Sequence, residues 1–268
     1  IHAINAMLME WFMEKVITMP GTKLKVRMID RFALITGGCH GIGLEIAKKF
    51  AEEGINLYLV SRSKTKLLKT LSIFKKNYKN IRVLGILGDI RTELFQKKLK
   101  KIKKINFLIN SAATANKKHF LKSNKNDFDN VFNTNVKALF FISQIVSKIM
   151  KKNESRSYII NLGSTLGLIG NYNRVIYSSS KFAVEGITKS MALDLIKFNI
   201  NVNSIAPTKV ITKHNENKKK LNIIKKKIPQ KKFPKSREIA EVCYFLCSGK
   251  IDSATGSTIV VDGGWTIL

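Results

Sequence analysis

From Arg31 onward, short apolar runs alternate with segments of helical spacing. "RFALIT" (31–36) reads as a buried strand. "GIGLEIAKKFAEEG" (41–54) follows, with apolar residues three and four apart and a closing glycine, the pattern of a helix packed by one face. The alternation then repeats. Strands are predicted at "INLYLVS" (55–61), "IRVLGIL" (81–87) and "INFLIN" (105–110), with helices at "KTKLLKTLSIFKKN" (64–77) and "TELFQKKLKKIKK" (92–104) between them. "DFDNVFNTNVKALFFISQIVSKIMKK" (127–152) reads as two helices in succession. A strand "SYIINLGS" (157–164), a long helix "VIYSSSKFAVEGITKSMALDLIKF" (175–198) and a strand "INVNSIAP" (200–207) come next. A helix "REIAEVCYFLCS" (237–248) and a strand "STIVVDGG" (257–264) close the chain.

Strands without polar alternation are buried on both faces. The expectation is therefore an α/β chain: a three-layer, doubly wound parallel sheet of seven strands, with helices on both faces, in one domain over 28–268. Residues 1–27 read as an extension ahead of Met28, with a short amphipathic helix as the competing reading. They hold no apolar run near the ~20 residues that span a bilayer. They also lack the basic start and apolar middle of a secretory signal. The charged stretch 208–235 reads as a long unstructured loop, a lid over a binding site.

Composition adds limits. Of 268 residues, 44% are hydrophobic, enough for a sizeable core. Cys39, Cys243 and Cys247 are too few for a disulfide framework, which fits a reducing compartment. The net charge of +30 suits an acidic partner such as nucleic acid, an anionic membrane or an acidic carrier protein. The lysines are dispersed rather than interleaved with aromatics, so compositional bias accounts for them better than nucleic-acid binding does.

The chemistry begins where the first strand runs into "TGGCHGIG" (36–43) and a helix opens. Glycines there permit a tight turn against a pyrophosphate, and the helix N-terminus offers amides to it. The second strand ends in Ser61 and Arg62, where an NAD-selective site would carry a carboxylate. An arginine can hold a 2′-phosphate instead, so NADP(H) is favoured over NAD(H). His40 in the loop is a further candidate for the phosphate site. "YSSSK" places Tyr177 one helical turn before Lys181, a spacing that geometry alone makes common.

Taken together, these motifs resemble the short-chain dehydrogenase/reductase family. Gly37, Gly41 and Gly43 match its T-G-x-x-x-G-x-G, and Tyr177 and Lys181 its Y-x-x-x-K. Ser164 in "NLGSTLG" lies 13 residues before Tyr177, Asn135 matches the family's helix asparagine, and Asp89 in "GDI" its adenine-contacting aspartate. The resemblance implies catalysis by Asn135, Ser164, Tyr177 and Lys181. It implies a cofactor held by Thr36, Gly37, His40, Gly41, Ile42, Gly43, Ser61, Arg62, Asp89, Ile90, Asn110, Ala112, Tyr177, Lys181, Pro207, Val210 and Thr212. It implies no metal. Tyr177 would donate the proton, its pKa lowered by Lys181 and the oxidised nicotinamide. Ser164 would bind the substrate oxygen. Asn135, at a helix kink, would hold a relay water. Two residues depart from the pattern, Ala113 and Thr208, each in place of a glycine beside the cofactor.

The resemblance further implies a carbonyl-reducing enzyme of the cytoplasm, homo-oligomeric as a dimer of dimers, with no membrane association. "IPQKKFPKSREIAEVCYFLCS" is similar to the matching segment of 3-oxoacyl-[acyl-carrier-protein] reductases of fatty acid synthesis, and a basic surface suits the acidic acyl carrier protein. "NSAATANKKHFL" is closer to gluconate-type, polyol and small-ketone enzymes. A non-catalytic relative that binds nucleotide or nucleic acid stands as the alternative of another class.

Overall fold

The computed structural model describes residues 31–212 and 218–267. The extension 1–27, Met28 and residues 213–217 of the predicted loop lie outside the described residues.

Seven strands form one parallel sheet: β1 Phe32–Thr36, β2 Asn56–Ser61, β3 Val83–Leu87, β4 Phe107–Asn110, β5 Ser157–Leu162, β6 Ile200–Pro207 and β7 Thr258–Val261. Their order is β3-β2-β1-β4-β5-β6-β7. The chain winds outward from β1 to one edge, returns, and winds from β4 to the other. The crevice of such a sheet opens at the carboxyl ends of β1 and β4, where the winding reverses.

Successive side chains of a strand point to opposite faces, and here each face feeds its own core. Ala33, Ile35, Phe107 and Ile109 join Phe50, Phe74 and Cys243 on one side. Those three come from α1 (Gly41–Glu52), α2 (Lys64–Asn77) and α8 (Ser236–Cys247). Leu34, Leu108 and Ile159 join Phe95, Ile142 and Val146 on the other. Behind them stand α3 (Glu93–Leu99) and α5 (Leu139–Met150). Phe50, Phe74 and Phe95 are each almost fully buried. Burial of side chains of this size stabilises by about 1.5–3 kcal/mol apiece. The three cysteines are buried and free.

Several expectations shift at their edges. The helix expected over 92–104 stops at Leu99, because Ile102 must turn back onto the second core before Ile105 enters it. At the sheet edges β3 is largely exposed and β7 largely half-buried, so burial on both faces holds for the five inner strands alone. The stretch 208–235 is not wholly irregular: a helix, α7 (Lys218–Lys227), lies within it. Leu221 and Ile224 are half-buried and Ile228 is fully so, a spacing of three and four that gives the lysine-rich helix one inward edge. The two successive helices over 127–152 are α4 (Lys125–Phe132) and α5, and a six-residue π-turn, Asn133–Ala138, joins them. Among the described residues no helix is long and apolar enough to cross a membrane.

Candidate active site

At the carboxyl end of β1 the backbone turns through Gly37 at φ +68° and Gly41 at φ +54°, the left-handed region where L side chains are strained. A Cβ on Gly43 would meet the Gly37 carbonyl oxygen at 2.6 Å, so only glycine lets α1 start this close beneath the loop. Thr36 is buried under it. Its hydroxyl donates to Ile109 O (3.3 Å) and accepts from Ser111 N (3.0 Å) and Ala112 N (3.1 Å), which brings the loop after β4 alongside the glycine loop.

Between these loops lies a cleft of about 290 Å³. Gly37, His40, Ser61, Arg62, Asp89, Ile90 and Ala112, all expected cofactor residues, line it. The donors fit a dinucleotide: a glycine cradle, an open helix N-terminus and cations where the second strand ends. His40 Nδ1 lies 3.1 Å from Gly37 O, so the ring closes on its own loop. Arg62 is exposed and 4.0 Å from Asp89. Asp89 is gripped more tightly by Arg91, at 2.6 Å, and that pairing holds its carboxyl below the usual range. Thr212 sits against Gly41, whose Cβ would lie 3.3 Å from its methyl group. Ile42 and Val210 pack against the first core, and Pro207 ends β6. Asn110 faces inward, its amide donating to Ser143 and Asn161 at 2.9 Å each, so its side chain supports the sheet and does not line the cleft.

The four expected catalytic residues come from three elements. Ser164 follows β5. Tyr177 and Lys181 lie on α6 (Val175–Leu195), and Asn135 on the π-turn. The 3-10 turn Thr165–Gly167 presses on α6, because a Cβ on Gly167 would come within 2.8 Å of Lys181 O. Ser164 is thereby set close enough to Tyr177 for its hydroxyl to favour the phenolate. Lys181 is buried, donates to Leu162 O at 2.6 Å, and holds its ammonium 5.9 Å from the Tyr177 ring centre.

Asn135 is fixed on the π-turn by three side-chain hydrogen bonds. Its amide nitrogen donates to Thr114 O (2.9 Å) and Ser180 Oγ (3.0 Å), and its oxygen accepts from Thr114 N (2.9 Å). Ser180 in turn donates to Tyr177 O at 2.7 Å. The asparagine side chain is thus a brace between the loop after β4 and the tyrosine's helix.

Burial pushes the Tyr177 phenol up, and the lowering comes from Ser164 and Arg174, not from Lys181. Burial likewise pushes Lys181 down to about 8, with Glu185 opposing. Glu185 is buried on the same helix and accepts from Ser204 (2.8 Å) and Thr258 (2.6 Å). Ala113 and Thr208 cause no strain: neither is among the described non-glycine residues with positive φ, which are Asn173, Asn199 and Lys231.

Sequence reasoning missed Lys66 and Cys39, which line the cleft, and the pair Arg174 and Glu185 beside the catalytic groups. A lysine or arginine in a chain with 48 basic residues carries no local signal.

A family model described as enoyl-(acyl carrier protein) reductase matches residues 37–266. The 3-oxoacyl-[acyl-carrier-protein] reductase of Thermotoga maritima is 32% identical over 90% of this chain and 100% of its own. The 2-dehydro-3-deoxy-D-gluconate 5-dehydrogenase of Dickeya dadantii is 31% identical over 88% of this chain and 95% of its own. Among solved structures, a gluconate 5-dehydrogenase of Burkholderia cenocepacia superposes with a TM-score of 0.83, over 90% of this chain and 98% of its own. At 24% identity that likeness speaks to the fold alone.

Proposed function

This chain belongs to the short-chain dehydrogenase/reductase family and is an oxidoreductase of C=O and CH–OH groups; on that premise we propose that it is NADP(H)-dependent and works through Ser164, Tyr177 and Lys181. The observation that carries the reading is the buried Lys181, one helical turn after Tyr177, which donates to Leu162 O at the end of β5 and holds its ammonium 5.9 Å from the Tyr177 ring centre, with Ser164 two residues beyond that carbonyl.

The bound nicotinamide would supply the hydride. The rest falls to the chain's own residues. Ser164 would donate a hydrogen bond to the carbonyl oxygen and stabilise the charge that grows there. Tyr177 would hand its phenolic proton to that oxygen. Lys181 would bind the ribose hydroxyls and offset the phenolate left behind. Asn135 would keep the tyrosine's helix in register with the loop after β4. Arg62, with Lys66 beside it in the cleft, supports a 2′-phosphate and so NADP(H) over NAD(H).

For substrate, the first reading is a 3-oxoacyl group on acyl carrier protein, supported by relatives named for that activity over their full length and by the basic surface. The second is a sugar acid or other small oxo acid, supported by the gluconate-type relative and by Arg174. A homo-oligomer in the cytoplasm completes the proposal. The test is loss of NADPH absorbance with acetoacetyl-carrier protein, small ketones and sugar acids in parallel, with NADH as the cofactor control. NADPH bound but no substrate reduced would sink the reductase reading and favour the non-catalytic one.

A further inference from the structure

We infer that Arg174 anchors an anionic group of the substrate, so that the site takes oxo acids and their hydroxy-acid counterparts ahead of neutral carbonyl compounds. The inference rests on the reductase reading and deepens its second substrate class.

Arg174 is the N-cap of α6, and positions 174, 177 and 181 fall on one stripe of that helix. Its side chain is half-buried, and its Nη1 donates to Asn116 O at 2.6 Å, in the loop after β4. Lys118 N donates to Asn173 O at 3.0 Å, a second tie between the same two loops. The guanidinium is thereby tied to the loop after β4 at the start of α6, three residues before Tyr177, and its charge favours the Tyr177 phenolate.

A guanidinium carries five N–H donors in a planar fork that matches a carboxylate. Asn116 O is the one hydrogen-bond acceptor recorded for Arg174 among the described residues, and no carboxylate pairs with it there. Arg91, Arg156 and Arg237 differ: each has an acidic partner, Asp89, Asp252 and Glu52 respectively. A substrate oxygen must come to Tyr177 to be protonated, so groups a few bonds from that carbonyl lie within reach of Arg174. A carboxylate there would supply the missing charge and take the fork in two parallel hydrogen bonds. A neutral acyl thioester would leave it unpaired.

The test compares straight-chain oxo acids, with the carbonyl at C2, C3, C4 or C5, each with its own amide as the neutral partner. Reduction by NADPH is followed for the native protein, Arg174→Gln and Arg174→Lys. The expected result is a preference in kcat/KM for at least one acid over its amide. Arg174→Gln should shrink that acid-to-amide ratio by about 10- to 100-fold, the worth of hydrogen bonds to charged groups, mostly through KM. Lysine should restore part of it. The ratio removes any loss common to both compounds through Tyr177. Equal reduction of acids and amides by the native protein, or an unchanged ratio in Arg174→Gln, overturns the assignment. If no acid, amide or acyl thioester is reduced, the reductase reading fails by itself. Calorimetric titration of 3-hydroxybutyrate into protein saturated with NADP+ then decides the anchor. Binding that Arg174→Gln abolishes supports it; absent or unchanged binding overturns it.

Discussion

The carboxylate of Glu185 occupies the space that a side chain on Gly163 would need, so the residue before Ser164 is glycine because a glutamate from α6 lies against it. Glu185 is fixed there by Ser204 on β6 and Thr258 on β7. One buried carboxylate therefore ties the catalytic helix to two strands and sets the turn that presents Ser164. Gly163→Ala should lower stability by about 1–3 kcal/mol, the usual cost of overpacking. Thermal unfolding would read this as a fall of several degrees. The double variant with Glu185→Ala should lose less than the sum of the two single losses, because the clash with the glutamate is removed and only the one with Ser204 remains. Additive losses would disprove the contact.

Lys181 makes stability depend on pH. Its ammonium is protonated in both the folded and the unfolded chain below about 8. Between about 8 and 10.5 the folded chain sheds its proton first, so the unfolded state binds more protons and this group's contribution to stability rises with pH. Lys181→Met, which removes the buried charge, should therefore stabilise at pH 7, by about 3 kcal/mol at most. That advantage should shrink between pH 8 and 10.5. Urea titrations across this range that show a constant difference between the two proteins would contradict the assignment.

Tyr177→Phe removes the proton donor and leaves the ring. Carbonyl reduction should fall about 10²- to 10⁴-fold, the range of general acid catalysis. NADPH should still bind, as read by its fluorescence. A variant with near-native turnover would move the acid elsewhere.

Arg62→Gln and Lys66→Gln should each weaken NADPH and leave NADH nearly as before. About a tenfold loss in Kd is expected for Arg62, through lost charge-assisted hydrogen bonds. Equal affinity of the native protein for the two cofactors would remove the 2′-phosphate role of both residues.

Much of this was legible from residue patterns. β6 and α2 begin and end where "INVNSIAP" and "KTKLLKTLSIFKKN" do: a left-handed Asn199 precedes the strand, and Ser63 caps the helix, whose Leu67, Thr70 and Phe74 recur at spacings of three and four on its buried face. α7 was not legible. Its inward edge is three apolar residues, Leu221, Ile224 and Ile228, set among lysines that any solvated loop would also carry. At the site, identity was easier to read than role. The sequence marked Asn135 for the site, and its bonds to Thr114 and Ser180 were not legible there. Thr36 and Asn110 were expected at the cofactor, and their side-chain bonds to Ser111, Ala112, Ser143 and Asn161, which shape the walls from behind, were not legible in the sequence. Role depends on which way a side chain turns, and partners far along the chain decide that.

The π-turn at Asn133–Ala138 has a bearing on sequence change. A π-turn holds an extra residue within a helix, and one residue of α-helix is about 100° of rotation. Before the turn, the helical path directs Val131 inward; within it, Asn135 faces α6; after it, Ile142, Val146 and Met150 face the sheet. The turn is a phase shifter between two screws. Deleting a single residue from it would leave every side chain in α5 chemically intact and swing that helix's apolar edge about a quarter-turn off the sheet. Apart from Asn135, whose bonds brace α6, single substitutions in this stretch should be absorbed, whereas a change of length should not be absorbed at all.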